Sequence, residues 1–317
     1  MSLYFLKSGI LTTIQDLGRT GFRRFGINPS GAMDWMACRL ANIILGNDET
    51  EPVLEIHFPA PILKFEKMTN FAICGADFSA QLNDRKVETF RPAFAKEGDI
   101  LSFTEPLLGA RVYLAVAGGF QTEKWLGSAS ANLKIGFGHN LQKGERICFK
   151  QKTSQNSKND CKVGFSLIPR YSHFPTVRVI PGAEFDKLTA ISVETFLKNS
   201  FKISATSDRM GFRLEGDPLF LLDEVEMVSS AVDFGTIQLL PNGQMVILMA
   251  DHQTTGGYPR IAHIAKIDLP IVAQLKPGDK IYFRMISEEE AERLFLIQDK
   301  NLNLLKWAVK FKNEIIH

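Results

Sequence analysis

Gly98-Asp99-Ile100-Leu101-Ser102-Phe103 is the stretch of sequence that decides the fold. A glycine and an acid are followed by alternating apolar positions, which is typical of a turn that leads into a β-strand. The same pattern recurs at residues 144–149 and at residues 278–283, so it occurs in both halves of the chain. Two related β-barrels with rearranged loops explain this recurrence, and the alternative is chance similarity among β-turns.

Short apolar runs separated by Gly, Pro or Asn continue this pattern outward through most of the chain after Val53. Such closely spaced runs are typical of an all-β protein and not of alternating strands and helices. The runs that predict strands include Phe71–Cys74, Ile100–Phe103, Val112–Val116, Ile147–Phe149 and Met245–Leu248. We therefore predict a mainly β fold with a few helices.

Two regions predict helices. The first begins after Ser30, which is expected to cap it, and ends at Gly46-Asn47. Its apolar residues recur at helical spacing: Met33, Met36, Leu40, Ile43 and Ile44. The second begins at the capping box Ser287-Glu288-Glu289-Glu290 and continues through residues 302–316. We expect its apolar stripe to pack on the protein, and docking of a partner is the alternative.

The composition indicates a globular protein of two domains. The chain has 317 residues, of which 45% are hydrophobic, and this length suits two cores better than one. Residues 150–160 contain no apolar side chain and are the best candidate for an interdomain loop. We predict an N-terminal β domain at residues 1–160, a C-terminal β domain at 161–286 and a helical tail at 287–317.

Charge and cysteine usage indicate the compartment and exclude some partners. The formal net charge is +2, so nothing in it indicates nucleic acid or an anionic membrane as a partner. No signal peptide precedes the first strand, and no apolar run approaches the roughly 20 residues of a membrane span. The four cysteines lack the paired spacing of a zinc site, and Cys74 and Cys148 lie in apolar runs expected to be buried. We predict a reduced, cytoplasmic protein without a metal site.

Familiar catalytic motifs are absent from the sequence. It contains no P-loop, no GxGxxG that opens a helix, no HExxH and no GxSxG. If the protein uses ATP, this chain therefore does not bind it through the usual phosphate loop.

Three polar clusters are the candidate functional residues. They are Gln15-Asp16 with Arg19, Ser207–Gly211 with Arg213, and Asp251–Tyr258, which follows the predicted strand Met245–Leu248. An arginine beside an aspartate can hold a carboxylate or phosphate through two hydrogen bonds. The alternative for each pair is a structural salt bridge, and for the third cluster a polar hairpin loop.

Five motifs stand in order along the chain and carry a family resemblance. They are Gln15–Gly21, Ser30–Asp34, Leu126–Ser128, Ser207–Leu214 and Thr254–Pro259. Together they resemble the biotin-dependent carboxyltransferase-related family, which includes allophanate hydrolase subunit 2-type proteins, the KipA antagonist and the C subunit of 5-oxoprolinase. The resemblance covers the chain from about Ser8 to Ser287.

The resemblance implies a fold, partners and an activity. The fold is expected to be two cyclophilin-like β-barrel domains. The expected partners are a smaller homologous B subunit, of the KipI or allophanate hydrolase subunit 1 type, and an A subunit of the LamB/YcsF type. Together these subunits open 5-oxoproline to glutamate with hydrolysis of ATP, which is bound through the complex.

The family leaves two alternatives open. The first is the carboxyltransferase component of a biotin-dependent amide or urea carboxylase, for which biotin is the cofactor. The second is a KipA-like regulator that binds and antagonises a KipI-type kinase inhibitor.

The same resemblance implies roles for residues in the second half of the chain. Arg209 is expected to bind the substrate carboxylate or a phosphorylated intermediate, with Asp208 orienting it and Asp251 as a base or amide-binding group. The remaining substrate-binding candidates are Gln253, Thr254, Thr255, Tyr258, Arg213, Gln15 and Arg19. We expect Arg209→Ala to abolish activity with little change in melting temperature.

The first half departs from the family pattern at several positions, among them Ala131, Glu145 and two positions where an expected arginine is missing. Ala129 and His139 stand where the family usually has arginine. If those arginines hold an anion in other members, this part of the site is weakened or changed here. We therefore place the site in the second half.

Overall fold

The three glycine-acid stretches form the same turn in the computed structural model, which describes residues 1–150, 162–223 and 227–315. Gly98, Gly144 and Gly278 have φ angles of 90°, 92° and 94°, a region that favours glycine. The acid after each glycine accepts a hydrogen bond from the backbone N–H three residues before it. The distances are 2.8 Å for Lys96 to Asp99, 2.7 Å for Gln142 to Glu145 and 3.0 Å for Lys276 to Asp279.

Contacts divide the chain into two units that are not continuous in sequence. The first unit comprises Met1–Arg19, Asp34–Pro169 and Asp299–His317, and the second comprises Thr20–Met33 and Arg170–Gln298. The predicted boundaries at residues 160 and 286 stay predictions, and the proposed interdomain loop at 150–160 lies almost entirely outside the described residues.

The first unit is built from two sheets around one core. Its strands are β1 Ser2–Lys7, β2 Thr12–Gln15, β3 Val53–Ile56, β4 Ile62–Phe65, β5 Thr69–Asp77, β6 Ala80–Leu82, β7 Arg85–Lys86, β8 Pro92–Ala95, β9 Ile100–Phe103, β10 Leu108–Val116 and β11 Arg146–Cys148. One sheet has the order β11-β1-β4-β9-β6-β7 and the other β2-β3-β10-β5-β8. Alternate residues of β1 and β4 point into the core, which includes Leu3, Phe5, Leu63 and Phe65.

The second unit contains a closed seven-stranded barrel. The strands of this unit are β12 Thr176–Pro181, β13 Phe201–Ile203, β14 Gly211–Glu215, β15 Ser230–Ala231, β16 Thr236–Leu239, β17 Met245–Leu248, β18 Thr255–Gly256, β19 Arg260–Ile264 and β20 Lys280–Met285. The barrel order is β12-β19-β16-β17-β14-β13-β20, and β15 pairs with β18 outside it. The predicted mainly β fold is therefore confirmed, with a closed barrel in this unit and paired sheets in the first.

The helices are α1 Trp35–Ile43, α2 Ala190–Lys198, α3 Leu269–Val272 and α4 Glu288–Ile315. The predicted cap of α1 is wrong, because the side chain of Asp34 and not Ser30 accepts the hydrogen bond from Ala37 N–H. Ser30 has a φ of 53° and precedes the helix. At α4 the predicted capping serine is found, since Ser287 Oγ accepts from the N–H of Glu290 at 3.2 Å.

Two cysteine predictions have different outcomes. Cys74 is buried in β5 as expected, whereas Cys148 is exposed in β11. The alternation of β11 explains the difference, because Ile147 takes the inward position and its two neighbours point outward. In the part of the chain that the structure describes, no helix is both long and apolar enough to cross a membrane.

Candidate functional site

One end of the barrel brings two of the predicted clusters together. There β14 begins and β17 ends, with Gly211 facing Leu248, and β16 begins opposite the end of β19, with Thr236 facing His263. The loop before β14 carries Arg209, and the loop after β17 carries Asp251. Pairing of antiparallel strands therefore places both loops at the same edge.

Arg209 and Asp251 form a bidentate pair at this edge. Arg209 Nε donates to Asp251 Oδ2 at 2.9 Å, and Nη2 donates to Asp251 Oδ1 at 3.0 Å. Arg209 Nη2 also donates to the carbonyl of Gly31 at 2.6 Å. The backbone adds two bonds, from Asp251 N–H to Arg209 O at 2.8 Å and from Asn28 Nδ2 to Asp251 O at 2.9 Å. Both side chains are largely buried, so the guanidinium has a fixed orientation.

Asp208 folds the loop that presents Arg209. Its Oδ1 accepts from the N–H of Met210 at 2.8 Å and from that of Gly211 at 3.3 Å, which is an Asx turn. The carboxylate that grips the Arg209 guanidinium is Asp251, a pairing that the sequence did not predict. Because both oxygens of Asp251 accept from the guanidinium, its geometry favours an orienting role over that of a base.

The other residues of the Asp251–Tyr258 cluster form a polar surface beside this pair. Gln253 Nε2 donates to Oε1 of the buried Gln238 at 3.4 Å, and Gln238 Nε2 donates to the carbonyl of Tyr258 at 3.4 Å. Thr255 lies in β18, which pairs with β15, and the Tyr258 side chain is exposed. Thr254 is partly buried, and its carbonyl accepts from the N–H of Val232 at 3.2 Å. Arg213 is exposed on β14.

The buried His252 and the partly buried His263 lie at the same end of the barrel. His252 Nδ1 lies 2.5 Å from the carbonyl of Gln253, and its Nε2 lies 3.8 Å from Asp233 Oδ1. His263 Nδ1 lies 3.2 Å from Thr236 Oγ1. Burial is the largest cause that lowers the pKa of His252 and of His263, because the charged imidazolium is separated from water.

The cluster of Gln15, Asp16 and Arg19 is in the first unit and is buried there. Asp16 Oδ1 accepts from Ser128 Oγ and from Ser130 Oγ, each at 2.6 Å, and Oδ2 accepts from the N–H of Ala129 at 2.7 Å. The motifs at Gln15–Gly21 and at Leu126–Ser128 are therefore parts of one hydrogen-bonded structure. This geometry joins two loops, which favours the structural alternative over a surface for substrate.

Arg19 is held within the same structure. Its Nη2 donates to the carbonyl of Ser130, and its guanidinium lies 5.1 Å from the ring centre of Trp125 and 5.5 Å from that of Phe137. Stacking on two aromatic rings stabilises a cation away from water. Gln15 Nε2 donates to the carbonyl of Ala131 at 3.0 Å. Gln15 and Arg19 therefore both form hydrogen bonds inside the first unit. Their predicted contact with substrate stays a prediction.

Ala129 and His139, which stand where the family usually has arginine, line one cavity of the first unit. Its volume is about 540 Å³, and its lining includes Ala129, Phe137, His139 and Ile147. His139 Nε2 lies 3.0 Å from Glu145 Oε1 at the rim. Arginine at position 129 would project into this space, so the short side chain of Ala129 leaves it open.

Sequence reasoning missed the contribution of residues 20–33 to the barrel. Gly31 and Asn28 bond to the Arg209–Asp251 pair, and Arg23 Nη1 lies 3.4 Å from Asp233 Oδ1. The motif Ser30–Asp34 was recognised, but helical spacing assigned it to the start of α1. Among the described residues, no group of three His, Cys, Asp or Glu side chains is arranged to hold a metal ion.

The fold and these motifs define the class of protein. Residues 25–285 match the family described as "Carboxyltransferase domain, subdomain A and B", and the chain belongs to this family. Within it, the chain is 36% identical over 305 residues to the C subunit of 5-oxoprolinase from Haemophilus influenzae, a match that covers 95% of this chain and 96% of the relative. It is also 36% identical over 315 residues to the C subunit of 5-oxoprolinase from Escherichia coli, a match that covers 98% of this chain and 100% of the relative.

A solved structure shows the same fold in a larger protein. The urea amidolyase of K. lactis superposes with a TM-score of 0.88 at 30% identity over 96% of this chain. This chain spans only 20% of the length of that protein. The resemblance given by the five motifs is therefore confirmed at the level of family and fold.

Proposed function

We propose that this chain is the C subunit of an ATP-dependent 5-oxoprolinase, which opens 5-oxoproline to glutamate. The observation that carries the proposal is 36% identity along nearly the full length of two proteins with that name. The site supports it, because the Arg209–Asp251 pair and the neighbouring amide and hydroxyl groups suit a substrate with a carboxylate and a lactam.

In this proposal each residue of the barrel end has one task. Arg209 binds the carboxylate of 5-oxoproline or a phosphorylated intermediate, and Asp251 holds the guanidinium in the required plane. Gln253 and the threonine pair Thr254-Thr255 hydrogen-bond the lactam amide. Tyr258 forms an exposed wall of the site. Gln15 and Arg19 are left out, since both are buried and hydrogen-bonded within the first unit.

Partner subunits are part of the proposal. The two relatives are each named as one lettered subunit of 5-oxoprolinase, which implies a multi-subunit enzyme. We assign the partners to a smaller homologous B subunit and to an A subunit of the LamB/YcsF type. We assign ATP binding to the assembled complex, because this sequence contains no P-loop. A cytoplasmic location and the KipA-like regulatory role stay predictions.

Carboxyl transfer in a biotin-dependent carboxylase is the second candidate. The family description and the similarity to urea amidolyase favour it. The two candidate functions differ in their substrates, which are 5-oxoproline and ATP in the first and carboxybiotin and urea in the second. Purified complexes are assayed for glutamate formed from 5-oxoproline with ATP, and separately for carboxyl transfer from carboxybiotin to urea. Glutamate release that depends on all subunits supports the proposal, and carboxyl transfer without it overturns the proposal.

Arg209→Ala tests the site within the assembled complex. We expect activity per folded enzyme to fall at least 100-fold, because the substrate loses the cation that binds its carboxylate. The expectation of an unchanged melting temperature must be revised. The pair is largely buried, and removal of one partner of a buried pair costs about 3–5 kcal/mol.

Arg178→Ala is the matched control for this variant. Arg178 forms the same kind of pair with the buried Asp268, with Nε to Oδ2 at 2.8 Å, but lies in none of the predicted motifs. We expect a similar loss of stability and full activity per folded enzyme at low temperature. Equal activity losses in the two variants would assign Arg209 to the scaffold.

A further inference from the structure

Helix α4 carries an exposed apolar stripe. Five large side chains on one face remain open to solvent: Leu296 at 59%, Ile297 at 46%, Leu304 at 58%, Trp307 at 68% and Phe311 at 65%. The two aromatic side chains alone expose roughly 200–300 Å². A contiguous apolar patch of this size on a soluble protein marks an interaction surface.

From Asp299 onward, the other face of α4 is already packed within the first unit. Leu302 and Val309 are buried, and Lys306 Nζ donates to Glu49 Oε1 at 2.7 Å. Arg39 Nη2 lies 3.8 Å from Asp299 Oδ1. The exposed stripe is therefore not the face that holds the helix to the protein, which leaves it available to a separate partner.

The spacing of the stripe indicates a helical partner. Ile297, Leu304 and Phe311 are seven residues apart, and Trp307 follows Leu304 by three. This is the repeat of a helix–helix seam, which needs a facing helix of similar length. Within the described ranges, the other helices of the chain span nine residues or fewer, so α4 of a second copy is the partner that matches in length.

The charges of α4 favour an antiparallel arrangement. Glu288, Glu289 and Glu290 occupy its first turn, whereas Lys310 and Lys312 lie near its other end. Parallel packing would place acid beside acid and lysine beside lysine. Antiparallel packing instead brings the acidic end of each helix towards the basic end of the other and opposes the helix dipoles. We propose that the stripe is the interface of a homodimer in which two α4 helices pack antiparallel. This proposal does not depend on the proposed function.

Trp307→Glu tests the interface in the full-length protein. We expect wild type to sediment as a dimer at micromolar concentration and the variant as a monomer, with a dissociation constant raised at least about 30-fold, as for a central aromatic anchor. Leu304→Lys is a second variant with the same expected result. Thermal melting verifies folding. Phe165→Glu, which changes another exposed aromatic residue outside α4, is the control and should remain dimeric.

Cysteine cross-linking tests the orientation in a Cys148→Ser, Cys161→Ser background. Asn303→Cys lies near the middle of the stripe and should form an intermolecular disulfide, whereas Ile297→Cys near one end should not. Equal cross-linking of both positions indicates a parallel pair and overturns the arrangement. A monomeric wild type, or a dimer that Trp307→Glu does not weaken, overturns the interface. A monomer that uses the stripe only to bind a different, smaller homologous protein also overturns it.

Discussion

His252, which is buried, and His263, which is partly buried, are titratable groups at the end of the barrel that carries Arg209. The Nε2 atom of His252 lies 3.8 Å from Asp233 Oδ1, which is beyond hydrogen-bonding distance. Burial is the largest cause that lowers the pKa of each histidine. Protonation of either ring would therefore place a poorly solvated charge at this end of the barrel.

These histidines predict how stability depends on pH. Their unfolded pKa is about 6.5 and their folded pKa is lower, so the unfolded state binds more protons as pH falls below about 6.5. The contribution of the two histidines to the free energy of unfolding is therefore fully present above that pH. Below it, the free energy of unfolding declines by at most about 1.4 kcal/mol per pH unit for each histidine. Urea unfolding at pH 7.5, 6.5 and 5.5 measures the slope.

The variant His252→Gln should lose its share of this slope. A slope that is the same in wild type and in His252→Gln would contradict the prediction.

At the residue scale, the sequence indicated which polar loops to group as a candidate site but not how their side chains pair. Asp208 and Arg209 are neighbours in sequence, so they were grouped together. The partner of Arg209 is Asp251, 42 positions away, because β14 and β17 pair antiparallel. A contact of this kind depends on strand register, which no local pattern reveals.

The glycine-acid turns provide a prediction at the scale of the element. A Cβ at position 278 would meet nothing within 4 Å, and the same holds at positions 98 and 144. Alanine at each position therefore adds only the strain of a left-handed backbone, about 1–2 kcal/mol. We expect Gly98→Ala, Gly144→Ala and Gly278→Ala to destabilise the protein by similar amounts, measured by urea unfolding.

Two further variants separate backbone strain from collision. Gly278→Asn should be less destabilising than Gly278→Ala, because asparagine tolerates a positive φ. Gly182→Ala should be more destabilising, since its Cβ would collide with the carbonyl of Arg260 and separate β12 from β19. If Gly278→Asn were no better than alanine, the strain argument for this turn would be wrong.

Elements were more accessible to sequence reasoning than residue contacts were. The predicted strands at Ile100–Phe103 and Met245–Leu248 have the observed bounds, because alternation and flanking turns are local properties. The start of α1 was misplaced because Met33 fits the helical spacing of Met36 and Leu40. Met33 instead lies in the core of the barrel, which depends on tertiary contacts.

At the scale of the whole molecule, each unit is made of separate stretches of the sequence, so the two units are interleaved along the chain. This interleaving leads to a prediction about fragments. Residues 170–298 form the second unit only together with residues 20–33, whose Met33 is buried in the barrel core. Loss of a buried methionine side chain costs about 2–5 kcal/mol. We expect a fragment of residues 170–298 to melt lower than the same fragment with the 20–33 peptide bound, as measured by circular dichroism.

The control peptide carries Met33→Ser and should restore little of the stability. A fragment of residues 170–298 that melts at the same temperature with and without the native peptide would show that residues 20–33 are dispensable. Sequence patterns did not predict this interleaving, because the recurrence of the glycine-acid stretches suggested two consecutive barrels.

The same interleaving affects the order of events during synthesis. Residues 20–33 leave the ribosome before most of the first unit, yet the strands of the barrel extend to residue 285. At roughly 5–20 residues per second, that delay is on the order of 10–50 s. During this time Met33 lacks the core that buries it in the finished protein. The barrel therefore closes only near the end of translation, when its earliest segment meets its latest.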